Sequence, residues 1–498
     1  MRLVLHNQMG LGEEDIAKIK LDPKSRDDIP QLLSGLQYIY TTPELRQAVF
    51  KILEEIVPCR IGKEGKASKD KGRPGMEQWK ILVLGTLRLG LNADYDRIHE
   101  LANQHRTVRQ MLGHGFMDDM KEYNLQSLKD NLCLFTPELL DRINQEVVKA
   151  GHLLLKKNAA DLSGRCDSFV VKTDVHFPTD INLLYDAIRK TIEECAFLCD
   201  RYDFTNWRQS RHNIKTFKAQ YRVIQKLKHS TAKDEKKCKK QEESIKQAHE
   251  RYIDKAEGFL ERARTTRLLL GPLSGELSLF CALDSYVAHA ERQIDQIRRR
   301  VIQGENIPHD EKVFSIFQTH TEWISKGKAG VPVELGLRVC VLEDRCGFIL
   351  HHRVMEKQTD DQVAVAMITE TKQRFPRLRL CSFDKGFHSP QNQRDLKDEL
   401  DTVVLPKKGR LSEADRDRES SPEFVSARRQ HSAVESAINA LGVHGLDLCR
   451  DHGIVGFKRY VALAVVARNI QRLGAIVRSL AANKRGPYKK SEPDKLAA

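Results

Sequence analysis

Three acidic side chains stand where divalent-metal chemistry would want them. Asp384 ends the apolar run Leu378-Arg-Leu-Cys-Ser-Phe383 and is followed by Lys385-Gly-Phe-His388. Ligands gather at strand ends in open α/β sheets, and Ser389-Pro390 is the better cap for the next helix, so Asp384 reads as a site residue. Glu435 lies in Arg428-Arg-Gln-His-Ser-Ala-Val-Glu-Ser-Ala-Ile-Asn439. On one continuous helix, Arg428, His431, Glu435 and Asn439 share a face that offers one carboxylate among phosphate-binding groups. The alternative is a surface glutamate paired with Arg428 or His431, worth under about 1 kcal/mol. The first carboxylate comes from Arg165-Cys-Asp-Ser-Phe-Val-Val-Lys-Thr-Asp-Val-His-Phe-Pro-Thr-Asp180. Phe169, Val170 and Val171 predict a strand beside Asp167. Asp180 reads as a helix N-cap, and Asp174 stays open on spacing alone.

Acids of this kind, brought from separate elements to one sheet edge, suit phosphoryl transfer. Hard cations such as Mg²⁺ prefer carboxylate oxygens and keep several waters. Two of them about 3.5–4 Å apart hold the attacking and the leaving oxygen of an in-line displacement.

The elements that must position these acids follow from hydrophobic period. Val333–Leu342 alternates and, after the tight link Glu343-Asp-Arg-Cys346, Gly347–Met355 follows, so the two read as a hairpin. Helices are predicted over 360–375, 389–400 and 422–443, with strands at about 166–172, 378–383 and 402–406. A final helix over 457–480 is apolar nearly all round and hence buried. Upstream, 76–91, 95–103 and 107–112 read as three short helices of helix-turn-helix-like spacing. The block 182–320 reads as long charged helices, whose charge runs are solvated faces. The fold class is α/β with a mixed sheet.

Composition narrows the partners. The chain has 498 residues, a formal net charge of +14 and 40% hydrophobic residues. A basic balance favours a polyanionic partner. No apolar run approaches the ~18–20 residues a membrane helix needs, and the first residues turn polar too soon for a secretory signal. The eleven cysteines contain no CxxC pair, so neither a zinc ribbon nor a disulfide framework is indicated, and reduced thiols in a cytoplasmic protein are expected. No GxxxxGK[ST] loop or recombinase-type nucleophile signature is present, which disfavours ATP-driven and covalent mechanisms.

Four tracts in order carry a resemblance: Val175-His-Phe-Pro-Thr-Asp-Ile-Asn-Leu-Leu184, Ile324-Ser-Lys-Gly-Lys-Ala-Gly330 with Pro332-Val-Glu-Leu-Gly336, Asp384-Lys-Gly-Phe-His-Ser-Pro390, and Arg428 through Leu441. The run Gly453-Ile-Val-Gly-Phe-Lys-Arg-Tyr-Val-Ala-Leu463 adds a fifth. Over about 70–478 the chain resembles bacterial insertion-sequence transposases of the not-yet-classified group (ISNCY), which have an RNase H-like core and a DDE triad. The resemblance implies that Asp167, Asp384 and Glu435 are the catalytic, metal-holding acids, with Mg²⁺ or Mn²⁺ as cofactor. Asp167 and Asp384 lie 217 positions apart (384 − 167), because the helical block interrupts the core after its first strand. Arg429 precedes Glu435 by six, but no Tyr or Lys stands at the other places related transposases use around this Glu.

Under this resemblance the expected organisation is a helical DNA-binding region over 1–160, the first core strand over 161–181, a helical insertion over 182–320, the rest of an RNase H-like core over 321–480 and a basic disordered tail over 481–498. The expected partner is double-stranded DNA, both element ends and target, bound by a homodimer at the bacterial nucleoid. Lys385, Arg428, Arg429, His431, Lys407, Lys408 and Arg410 are expected to hold phosphates, and Lys71–Pro74 and Lys484–Lys490 to enter a minor groove. A related nuclease that only hydrolyses, or a domesticated DNA-binding protein with a dead site, are the competing readings.

Overall fold

Asp27, Asn124 and Thr136 each accept a backbone N–H at the head of a helix, which supplies the partner that a first helical turn lacks. The chain before the first strand is accordingly helical: α1 (Asp28–Thr41), α2 (Pro43–Leu53), α3 (Gln78–Gly90), α4 (Tyr95–Gln104), α5 (Arg106–Met111), α6 (Leu125–Leu132) and α7 (Pro137–Leu154). The computed structural model describes residues 3–6, 12–56, 75–115, 121–156, 161–229, 235–270, 277–325 and 332–484. The chain forms two units, Met1–Asp174 with Ile324–Ala498, and Val175–Trp323.

Every residue of α3 is buried, as the apolar residues all round Trp79–Leu89 require. The exposed residues of α4 are Asp96, Arg97, Glu100 and Gln104, and α5 buries Val108, Arg109 and Met111. The three helices of helix-turn-helix-like spacing therefore place the first inside the core and give the second a face of mixed charge. Lys71–Pro74 lies outside the described residues.

The sheet contains β1 (Leu162–Thr173), β2 (Glu322–Ser325), β3 (Val333–Asp344), β4 (Ile349–Met355), β5 (Leu378–Phe383), β6 (Thr402–Val404) and β7 (Leu448–Cys449). Its order is β2-β3-β1-β5-β6, with β4 also on β3 and β7 on β1. β3 runs antiparallel to β1 and β4, while β1, β5 and β6 are parallel. The sheet is mixed, as the hairpin followed by alternating helices and strands predicts. Gly347, at φ +80°, closes the β3–β4 hairpin in a conformation that favours glycine. Helices α12 (Asp360–Arg374) and α13 (Pro390–Glu399) make the crossovers from β4 to β5 and from β5 to β6.

Side chains alternate across the strands. On one face Val171, Leu337, Val339 and Val341 join the core of the N-terminal helices. On the other, Cys166, Cys340, Leu342, Cys381 and Phe383 pack with Val363, Met367 and Ile368 of α12. The remaining helices of this unit are α14 (Glu413–Ser420), α15 (Pro422–His431), α16 (Ala433–Leu441) and α17 (Gly453–Lys484).

α17 is the axis of the first face. Val461–Ala467 are at most 2% exposed. By length and composition Gly453–Asn483 is apolar enough to cross a membrane, but 72% of its apolar window is buried within the fold. Gly35 and Gly474 let α1 and α17 touch backbone to backbone, since a Cβ at either would stand 2.2 or 2.0 Å from a carbonyl oxygen of the other helix. Asn469 accepts from Ile349 N–H and donates to Ile349 O and to Asn144, so α17 and α7 together satisfy a strand residue deep in the core. The described helices α1 to α7 share one core with α17 and one face of the sheet.

The second unit holds α8 (Asp180–Arg201), α9 (Ser210–His229), α10 (Glu235–Leu270) and α11 (Leu277–Ile297). It has its own core, in which Phe217 stacks on Tyr252 with centroids 4.5 Å apart. Its charged runs are solvated faces tied by exposed pairs such as Arg264–Glu291 and Arg298–Glu257. The cap of α8 is Thr179, not Asp180. Asp180 is the first helical residue and pairs with Arg300 at 2.6 Å.

Candidate active site

Asp167 lies mid-way along β1, opposite Val341 of β3, and the residue before it, Cys166, pairs with Phe383 of β5. Asp384 is the residue after Phe383. The two aspartates therefore occupy the same level on neighbouring parallel strands, whose spacing is about 4.8 Å. Asp384 is exposed and makes no side-chain capping bond to the single turn that follows; Ser389 caps α13 instead, accepting from Asn392 N–H. The Asp384 carboxylate is thus not spent on helix capping.

Glu435 arrives from the other side of the chain. A continuous helix over 422–443 was expected, but the chain breaks at Ser432 into α15 and α16. Val434, Ala437 and Leu441 are buried, which leaves Glu435 exposed in the first turn of α16, and α16 packs on β1. Ser432 keeps helical dihedrals at the break, and His431 still feels the charge of Glu435. His431 turns in, its Nδ1 3.0 Å from Ser382 Oγ, while Arg428 lies 4.0 Å from Glu419.

Asp384, Asp360 and Glu435 all lie near enough for their charges to act on Asp167. The Asp167 carboxyl is pushed up to about 6, first by burial and then by the negative charges of Asp384, Asp360 and Glu435; the Ser168 N–H bond at 2.7 Å pulls the other way. The His431 ring is held below its usual value, chiefly by burial and also by Arg165, against the opposing pull of Asp384 and Glu435. A neutral His431 neutralises nothing here. Arg165 is engaged with Glu343 at 3.3 Å and with the carbonyls of Asp344 and Gln430. A set of carboxylates with unbalanced negative charge, one of them half-buried, suits a hard divalent cation once it is gathered around one. Asp167, Asp384 and Glu435 would hold it.

Asp174 does not join this group. It is exposed, just past the end of β1 and seven residues beyond Asp167, about 23 Å along an extended strand. Of the expected phosphate-binding residues, Lys385, Lys408, Arg410, Arg428 and Arg429 are exposed. Lys407 is different: its ammonium donates to Asp415 and its backbone N–H to Glu419, so it braces the loop ahead of α14. Most of Lys484–Lys490 lies outside the described residues.

Sequence reasoning missed Asp360. It heads α12, where Thr359 and Gln362 form a capping box, so it reads as an ordinary first-turn acid. Among the described residues, the acids and other donors whose ligand atoms all lie within 4.8 Å of one another are His152, Asp344 and Cys346, a set that does not include Asp167, Asp384 and Glu435. Asp344 there bonds His152 and accepts from the Cys346 and Phe348 N–H groups, which accounts for it as the organiser of the β3–β4 turn. No protein-family model, curated protein or solved structure matches this chain.

Proposed function

We propose that this chain is a DNA transposase of the acidic-triad type, and that its sheet is an RNase H-like core. The single observation that supports this reading is that Asp167 on β1 is level with Asp384 at the end of the adjacent β5, while Glu435 is carried by α16, which packs on β1, and the charges of both act on Asp167. The sheet supports the fold: an antiparallel trio β4-β3-β1 is extended by parallel β5 and β6. Such a core places one acid mid-strand and a second at the end of the adjacent strand.

Divalent ions bound there would activate water and stabilise the leaving oxygen of a phosphodiester. The chain's part is to hold the three carboxylates together and to keep Asp167 partly shielded from solvent. Lys385, Arg428, Arg429, Lys408 and Arg410 are exposed, and in this reading they would bind backbone phosphates, which gives register without sequence reading. Lys407, already paired with Asp415, shapes its loop. Because two element ends must be joined to a target, a homodimer on double-stranded DNA is the assembly we propose.

The test uses the full-length protein, duplexes carrying the inverted repeats that flank its gene, and Mg²⁺ or Mn²⁺. Cleavage at the element end, then joining of a pre-cut 3′-hydroxyl end to a target duplex, is the expected result. Asp167→Ala, Asp384→Ala and Glu435→Ala should each abolish both steps. Cleavage without joining would favour a purely hydrolytic nuclease, and absence of metal-dependent cleavage would favour a DNA-binding protein with a dead site.

A further inference from the structure

Period-two alternation sets Asp167 and Ser168 on opposite faces of β1. Asp167 looks toward α16, and Ser168 toward α12. Ser168 Oγ donates to Asp360 Oδ1 at 2.6 Å. The second oxygen of that carboxylate, Oδ2, lies 3.0 Å from where a Cβ at Gly386 would stand. Gly386 belongs to the turn Lys385–Phe387 that directly follows Asp384. One half-buried carboxylate therefore touches the strand that carries Asp167 and the turn that carries Asp384, from behind both.

We infer that Asp360 is a positioning residue that braces β1 against the Asp384 turn and so sets the separation of the two aspartates. This rests on the metal-site reading proposed above. Three features favour a brace over a third aspartate ligand. Its partner Ser168 is on the face away from Asp167. One of its oxygens is already used by that hydroxyl. A bare backbone at Gly386 gives the other oxygen room, since a Cβ there would stand 3.0 Å from it and make it give by a few tenths of an ångström. Asp360 also adds to the negative potential at Asp167, so the brace brings charge as well as geometry. The N-terminal end of α12 favours that charge.

The experiment is titration of the full-length protein with Mn²⁺, read as the rise in melting temperature and as loss of free-Mn²⁺ signal in electron paramagnetic resonance. The wild type, Asp360→Asn, Asp360→Ala, Ser168→Ala and Gly386→Ala are compared. The asparagine keeps an oxygen that can accept from Ser168, so its half-saturating Mn²⁺ should stay within about threefold of wild type. Asp360→Ala, Ser168→Ala and Gly386→Ala should each need about tenfold more, the usual cost of losing a group that orients a ligand. The Asp360→Ala/Ser168→Ala double variant should be no worse than either single. An asparagine variant as impaired as the alanine would overturn bracing in favour of direct ligation. A wild type that binds Mn²⁺ beside an Asp360→Ala that binds it equally well would overturn any role. A wild type that binds no Mn²⁺ at all would instead overturn the metal site, and the brace with it. Should Asp360→Ala not fold, Ser168→Ala and Gly386→Ala carry the comparison.

Discussion

Replacing Asp167 by asparagine should make the metal-free protein more stable. A carboxyl raised from the usual aspartate value of 3.8 to about 6 costs the folded state about 3 kcal/mol at neutral pH. The amide has nearly the same shape and still accepts from Ser168 N–H, but it carries no charge toward Asp384, Asp360 and Glu435. It keeps the cost of burying a polar group, so the net gain expected is about 1–2 kcal/mol. The sign fixes the pH window. Because the folded value lies above the unfolded one, ionisation of Asp167 destabilises the fold. The penalty is absent below 3.8, grows as pH rises toward about 6, and is complete above it. The advantage of Asp167→Asn should therefore be full at pH 7 and fade toward pH 4. Chemical denaturation with chelator at several pH values measures it. Added Mg²⁺ should reverse the order: at about 100 times its dissociation constant it adds about 2.7 kcal/mol to the wild type and little to the variant. A variant less stable than wild type at pH 7 without metal, or an advantage that does not change with pH, would refute the crowding of these acids.

Other expectations are independent of one another. Glu435→Gln should fold normally and lower metal-dependent cleavage by at least about 100-fold, read on a labelled duplex. Asp451→Asn should cost about 3–5 kcal/mol in denaturant titration, because it strands Arg88, which is 3% exposed and paired with Asp451 at 2.7 Å. Gly35→Ala should cost about 1–3 kcal/mol or more, since the new methyl meets the Ile470 carbonyl oxygen at 2.2 Å, with a lower melting temperature as the readout.

The parts of this molecule legible in sequence are those with a short-range cause. The β3–β4 hairpin, α12, β5 and the Ser389 cap of α13 follow from period, turn residues and capping chemistry within a dozen positions. The helix break at Ser432 does not. Ser432 itself keeps helical dihedrals, and beside it His431 bonds Ser382, 49 positions away, a contact no local window contains. Asp360 is hidden for the same reason: its partners Ser168 and Gly386 are contacts of the fold, invisible to any window around α12. The union of α1, α3 and α7 with α17 was also out of reach, although the all-round apolar character of α3 marked a helix that must be enclosed by something.

The long gap between the first two acids makes physical sense once β1 is considered as a strand with two halves. Its first half, up to Cys166, is held on both sides, by β3 and β5. Its last residues, Lys172 and Thr173, pair with Leu448 and Cys449 of β7, which comes from near the C-terminus. The helical unit leaves the chain at Val175, after this second clamp. Asp167 to Thr173 is six residues, about 20 Å of strand. The ladder that places Asp167 beside Asp384 is therefore complete before the chain departs, and loop-closure cost rises only slowly with the length inserted. An insertion between Cys166 and Asp167 would instead cut the acid from the strand that aligns it. Deleting 175–320 and joining Asp174 to Thr321 through a Gly-Ser linker, which keeps β2 whole, should accordingly leave a folded unit in which Asp167, Asp384 and Glu435 still bind Mn²⁺. Loss of Mn²⁺ binding in a folded deletion protein would mean that the insertion itself helps to build the acid site.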